Sequence, residues 1–118
     1  MSHVVVLEIS VKDKAGIEKT CEKLSLPQPQ EGTHRVYSKQ IEGLGVQLPG
    51  WVYPVVIQEN GKVKYDNYNG AWGKQVHLDK FVQTYAGEVT KKELTSQGFF
   101  VSECVKEDGS LRLVAERA

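Results

Sequence analysis

Three dipeptides, Pro49-Gly50, Asn60-Gly61 and Asp108-Gly109, punctuate runs of alternating apolar and polar residues, and they constrain the fold more than any other feature of the chain. Proline presets the first corner of a type II turn and glycine accepts positive φ at the second. Asn-Gly and Asp-Gly are the strongest short hairpin signals, because a type I′ turn needs two residues that tolerate positive φ. Turns this tight bring the chain back beside itself, so most neighbouring strands are expected to run antiparallel.

The runs between the turns supply the strands. Val5, Leu7, Ile9 and Val11 alternate with Val6, Glu8, Ser10 and Lys12, which predicts a strand over 3–12. His34 to Ile41 reads as a second strand, 44–48 as a third, and 53–57 as a fourth running into Asn60-Gly61. Residues 62–67 return from that turn with Val63 and Tyr65 on one face. Pro54 lacks a ladder donor and belongs at an edge or at the start of its strand. Phe99, Val101, Glu103 and Val105, then Leu111, Leu113 and Ala115, flank Asp108-Gly109 as a last hairpin.

Two segments carry helical spacing instead. Asp13 offers a carboxylate to the free N–H groups of a helix along which Ile17, Cys21 and Leu24 share a face. Pro27 ends that helix by about residue 25. Leu78, Phe81, Val82, Tyr85 and Val89 fall in one sector of a second helix over 77–97, which Gly98 is placed to stop. Leu94 lies about 140° from Val89 on the same wheel. The apolar surface is therefore wide enough for two covering surfaces or for a partner. The order β-α-β-β-β-β-α-β-β predicts an α+β fold, mainly antiparallel sheet with two helices packed on it. At 118 residues, 1–118 is expected to be a single domain.

Composition narrows the function classes. Fifteen Lys and Arg balance fifteen Asp and Glu, and no segment hides a basic arm or an acidic tail, so nucleic acid is an unexpected partner. The longest apolar run, Val4 to Leu7, is far short of the ~20 residues of a membrane span, and no signal-peptide pattern opens the chain. A cytoplasmic protein with no membrane partner is expected. Cys21, Cys104 and three scattered histidines lack zinc-ligand spacing, and both thiols read as small buried apolar residues. No metal and no cofactor is expected.

The most unusual stretch runs from Tyr65 to His77 and concentrates Asp66, Asn67, Tyr68, Asn69 and Trp72 in a connection between a strand and a helix. Binding groups gather on such loops, although Asn and Asp also close turns through their own backbone. His77 is the one neutral-pH base here, yet no nucleophile elbow and no neighbouring thiol accompanies it. Lys74 after Gly73 is only a fragment of a phosphate loop. Trp51, Tyr53, Tyr65, Tyr68 and Trp72 place five of the ten aromatic residues in 22 positions. They read either as a core cluster across the hairpin or, with Arg35, as a stacking surface.

Met1-Ser2-His3, Tyr65-Asp66-Asn67-Tyr68 leading to Trp72-Gly73, Tyr85-Ala86, Gln97-Gly98-Phe99, and Asp108-Gly109-Ser110 through Leu113 occur in this order. Together they resemble the family called domain of unknown function 1257. The resemblance implies a small soluble protein without an assigned activity, cofactor or catalytic residue. It also implies an accessory role beside an ATPase or a ferredoxin-like protein.

The leading expectation is a non-enzymatic accessory or adaptor protein, a protein-binding module in which Leu94 belongs to a partner or self-association surface. The alternatives are a small-molecule binder or enzyme using loop 66–77, and a single-stranded nucleic-acid binder using the aromatics from Trp51 to Trp72. The candidate binding residues are thus Trp51, Asp66, Asn67, Tyr68, Asn69, Trp72, His77 and Leu94, with none catalytic.

Overall fold

The computed structural model of the chain describes residues 5–7, 11–105 and 111–117. Its elements are β1 (Val5–Leu7), α1 (Lys14–Lys23), β2 (Gln30–Val36), β3 (Lys39–Val46), β4 (Val55–Ile57), β5 (Val63–Tyr65), α2 (Gln75–Ser96), β6 (Phe99–Val105) and β7 (Leu111–Arg117). This is the expected α+β order. The first five strands form one sheet in the spatial order β1-β5-β4-β3-β2, and β6 with β7 forms a second. The strand pairs described are all antiparallel. Strands β2 to β5 are a meander, and α1 carries the chain from β1 at one edge to β2 at the other. The Asp108-Gly109 turn and the remainder of the 3–12 strand, 3–4 and 8–10, lie outside the described residues.

Local chemistry accounts for most of the boundaries. Asp13 caps α1, its Oδ1 accepting from the Gly16 N–H at 3.2 Å. Gly50 has φ +71°, and the Trp51 N–H donates to the Leu48 carbonyl at 3.2 Å, closing the Pro49-Gly50 turn. Gly61 has φ +86° between β4 and β5. Gly98 has φ +90° just beyond α2, as a left-handed helix stop requires. Pro54 precedes the first residue of β4.

Two strand expectations are corrected together, because 44–48 is not a strand of its own: residues 44–46 are the end of β3, and Leu48 lies beyond it. Residues 34–41 are not one strand: the chain reverses at Tyr37-Ser38, with Val36 opposite Lys39 as the first of seven uninterrupted register pairs. Gly43 and Gly45 look like punctuation but sit within β3. A Cβ on Gly43 would stand 2.6 Å from the Ile57 carbonyl oxygen, and one on Gly45 would stand 2.6 Å from the His34 ring. These glycines allow close approach rather than a turn.

Period-two alternation sorts the five-stranded sheet into two faces. Leu44, Val46, Val55, Ile57, Val63 and Tyr65 face the helices and meet Ile17 and Cys21 of α1 and Leu78, Phe81 and Tyr85 of α2. Val36, Ile41 and Val56 form a smaller cluster on the opposite face, capped by Tyr53. The second hairpin packs on α2 through both strands. A Lys23 ammonium shared by Glu88 of α2 and Glu103 of β6 ties α1 to both, and Lys91 adds a 3.4 Å pair to Glu103. None of the helices described is long and apolar enough to cross a membrane.

Candidate functional site

Loop 66–74 leads from β5 to α2 across Trp51 and Val52, and buried polar groups hold it there. Asp66 is 3% exposed; its Oδ1 accepts from the Tyr68 N–H at 3.0 Å, while Oδ2 is buried without a partner. The Asn67 side-chain amide donates to the Gly73 carbonyl at 3.1 Å and to Gln75 Oε1 at 3.2 Å. The Asn67 carbonyl in turn accepts from the N–H groups of Gly70 and Trp72. Together these bonds knot the loop around a tight turn over Tyr68–Gly70.

Trp51 is the anvil on which the loop rests. It is 5% exposed, its Nε1 donates to the Lys74 carbonyl at 3.1 Å, and its ring meets Tyr65 edge-on at 5.7 Å. A Cβ on Gly73 would lie 2.4 Å from the Trp51 indole, so only glycine lets the backbone pass so near. The Val52 N–H then donates to the Trp72 carbonyl at 2.8 Å.

This anchoring turns Trp72 outward into an aromatic stack. Tyr68 lies on one side of it, with centroids 4.9 Å apart and planes at 26°. Tyr37, from the β2–β3 turn, stacks on it at 5.1 Å and 22°. Tyr53 meets it edge-on at 5.6 Å, and the Arg35 guanidinium sits 5.9 Å from the Tyr53 ring centre. Tyr37 and Tyr68 each keep 43% of their surface exposed, and Val52 is exposed too. The backbone bends to achieve this: Tyr37, Tyr68 and Asn69 have φ of +55°, +49° and +52°.

The expected site residues thus separate. Tyr68 and Trp72 belong to the exposed stack, with Asn69 exposed in the turn beside them. Trp51 is in the core beneath it, and Asp66 and Asn67 are buried in the turn bonds that hold it. His77 is half-buried in the first turn of α2, with its backbone N–H on the Lys74 carbonyl. Leu94 is half-buried near the far end of α2, remote in sequence from the stack. Tyr37 was not among the expected residues; no glycine, asparagine or proline marks its turn, so nothing in the local sequence placed it near residue 72.

Among the described residues no group of three His, Cys, Asp or Glu side chains converges on a metal position. Cys21 is fully buried and unpaired; burial, aided by the nearby Glu18 charge, pushes its thiol up and away from nucleophilic chemistry. A groove of about 960 Å³ opens between α1 and the β2–β3 hairpin, over Val11, Ile17, Leu44 and Ile57, with Lys12, Lys14, Glu31, Glu42 and Glu59 around it. None of the expected site residues lines it. No family model, curated protein or solved structure matches the chain.

Proposed function

We propose that the protein is a non-catalytic accessory or adaptor module of the cytoplasm that holds a partner protein against the Tyr37–Trp72–Tyr68 stack. The observation that carries this reading is the cost of the stack. A left-handed backbone costs a non-glycine residue about 1–2 kcal/mol, and glycine would serve either turn more cheaply. What tyrosine supplies at positions 37 and 68 is a ring stacked on Trp72 and half open to solvent. Rigid aromatic surfaces with a polar hydroxyl tip are favoured where proteins meet, because they bury much area at little entropic cost. The neutral charge balance suits recognition by shape and stacking rather than by long-range steering. An accessory role is also what the resemblance to the domain of unknown function 1257 family implies.

The test is affinity capture from the source cell with the wild-type chain and with Tyr37→Gly/Tyr68→Gly. Glycine accepts the backbone at both positions, so the variant folds. The reading expects at least one protein held by the wild type and lost by the variant. Recovery of the same proteins with both chains counts against it.

A further inference from the structure

We propose that a second copy of this chain pairs with the open edge of the main sheet along β2, giving a two-fold dimer with one continuous sheet. The edge is long and keeps an unbroken register, with Gly32 at φ +140° in its middle. β2 pairs with β3 over seven residues without a bulge, and its sequence, Gln-Glu-Gly-Thr-His-Arg-Val, contains neither lysine nor proline. Those are the usual guards of an exposed edge. Among the described residues no other strand covers it.

The backbone sets which groups are available. In a two-residue hairpin the residues flanking the turn, here Val36 and Lys39, exchange both hydrogen bonds. Alternation then directs the N–H and C=O groups of residues 30, 32, 34 and 36 towards β3. Those of Glu31, Thr33 and Arg35 point away from it, to the open side.

A two-fold axis at Thr33 uses all three outward residues. Thr33 faces the partner's Thr33, and Glu31 faces the partner's Arg35 in two symmetric pairs, each a position where backbone bonds form in both directions. Opposite charges and Thr–Thr pairs are among the favourable cross-strand combinations. Shifting the axis one residue either way removes the Glu–Arg match while preserving the backbone ladder, so charge selects this register. The two side chains are accessible: Glu31 has 75% of its side chain exposed and makes only a loose 3.8 Å pair with Lys14. Arg35 spends its Nε on the Tyr37 carbonyl, which leaves the two amino groups of its guanidinium for a carboxylate. The same register sets Tyr37 opposite the partner's Pro29, so each aromatic stack lies at one end of the seam.

The test is solution mass by light scattering, with amide exchange, on the full chain. The wild type is expected at twice the mass of one chain, with slowed exchange at Glu31, Thr33 and Arg35. Glu31→Arg and Arg35→Glu are each expected to give monomers, and the double exchange Glu31→Arg/Arg35→Glu to restore the dimer. Thr33→Pro removes an N–H that β3 does not use, so it is expected to give a folded monomer with an unchanged circular dichroism spectrum. A monomeric wild type, a dimer unaffected by Thr33→Pro, or a double exchange that stays monomeric overturns the proposal. The mass measurement does not depend on partner capture, so it can fail or succeed independently of the aromatic surface.

Discussion

At the scale of single residues, two tryptophans and one glycine determine the character of the site. Trp51 and Trp72 lie in the same aromatic-rich stretch, yet one is core and the other surface. Gly73 separates these fates, because its backbone runs directly over the Trp51 indole and leaves no room for Trp72 on that side. Gly73→Ala should lower stability by about 1–3 kcal/mol, the usual cost of overpacking, measured by denaturant unfolding. Unchanged stability would show that the loop can lift from Trp51. Asp13→Ala should cost about 1 kcal/mol through loss of the α1 cap, read in the same experiment. The cap follows from local sequence rules; the burial of Trp51, expected as a binding residue, does not, and neither does Tyr37, whose role depends on a contact 35 positions away in the chain.

At the scale of elements, ion pairs fasten the second hairpin to the helices. The hydrogen bond from Lys23, reinforced by Lys91, holds the Glu103 carboxyl below its ordinary 4.5. The Gly16 N–H, with Lys92, holds Asp13 below its ordinary 3.8. Burial opposes the Lys23 charge, but the bonds to Glu103 and Glu88 outweigh it and raise that ammonium above 10.5. A lowered carboxylate stabilises the fold above its unfolded-state value, and this contribution is lost as pH falls through the folded value. The raised lysine stabilises the fold below its unfolded-state value and loses that contribution as pH rises through the folded one. The melting temperature should therefore be level from about pH 5 to about pH 8, fall below that range as the carboxylates protonate, and fall above it as first the unfolded-state Cys21 thiol and then Lys23 lose their protons. Lys23→Met should cost about 2 kcal/mol, since Glu88 is left buried without its cation, and should soften the alkaline fall. Thermal melts across pH check both statements. The turns joining these elements were readable wherever Pro-Gly or Asn-Gly marked them. The Tyr37-Ser38 reversal was not, because tyrosine at positive φ is paid for by the stack on Trp72 rather than by local preference.

At the scale of the whole molecule, the α+β class and the order of its elements were legible from turn chemistry and periodicity alone. The separation of the strands into two sheets was not, because sheet partnership depends on how α2 is shared between them. The candidate surface was legible in part: Tyr53, Tyr68 and Trp72 with Arg35 were readable as a stacking set, whereas Tyr37, drawn from the β2–β3 hairpin, was not. The molecule that results joins a helix-covered sheet to an aromatic end, with an open strand running between that end and the groove beside α1. Exposed apolar side chains elsewhere, such as Phe100 at 70% exposure, stand apart from the stack and serve as controls: Phe100→Ser should leave partner capture unchanged.

The most direct measurement of the central claim follows the two indole N–H signals by nuclear magnetic resonance while the captured partner is added. Trp72 sits in the proposed contact surface and Trp51 in the core below it. The account predicts that the Trp72 indole and the amides around Tyr37 and Tyr68 shift, while the Trp51 indole, bonded to Lys74, stays in place. Shifts gathered on the far end of α2 and the second hairpin, with Trp72 unmoved, would contradict it.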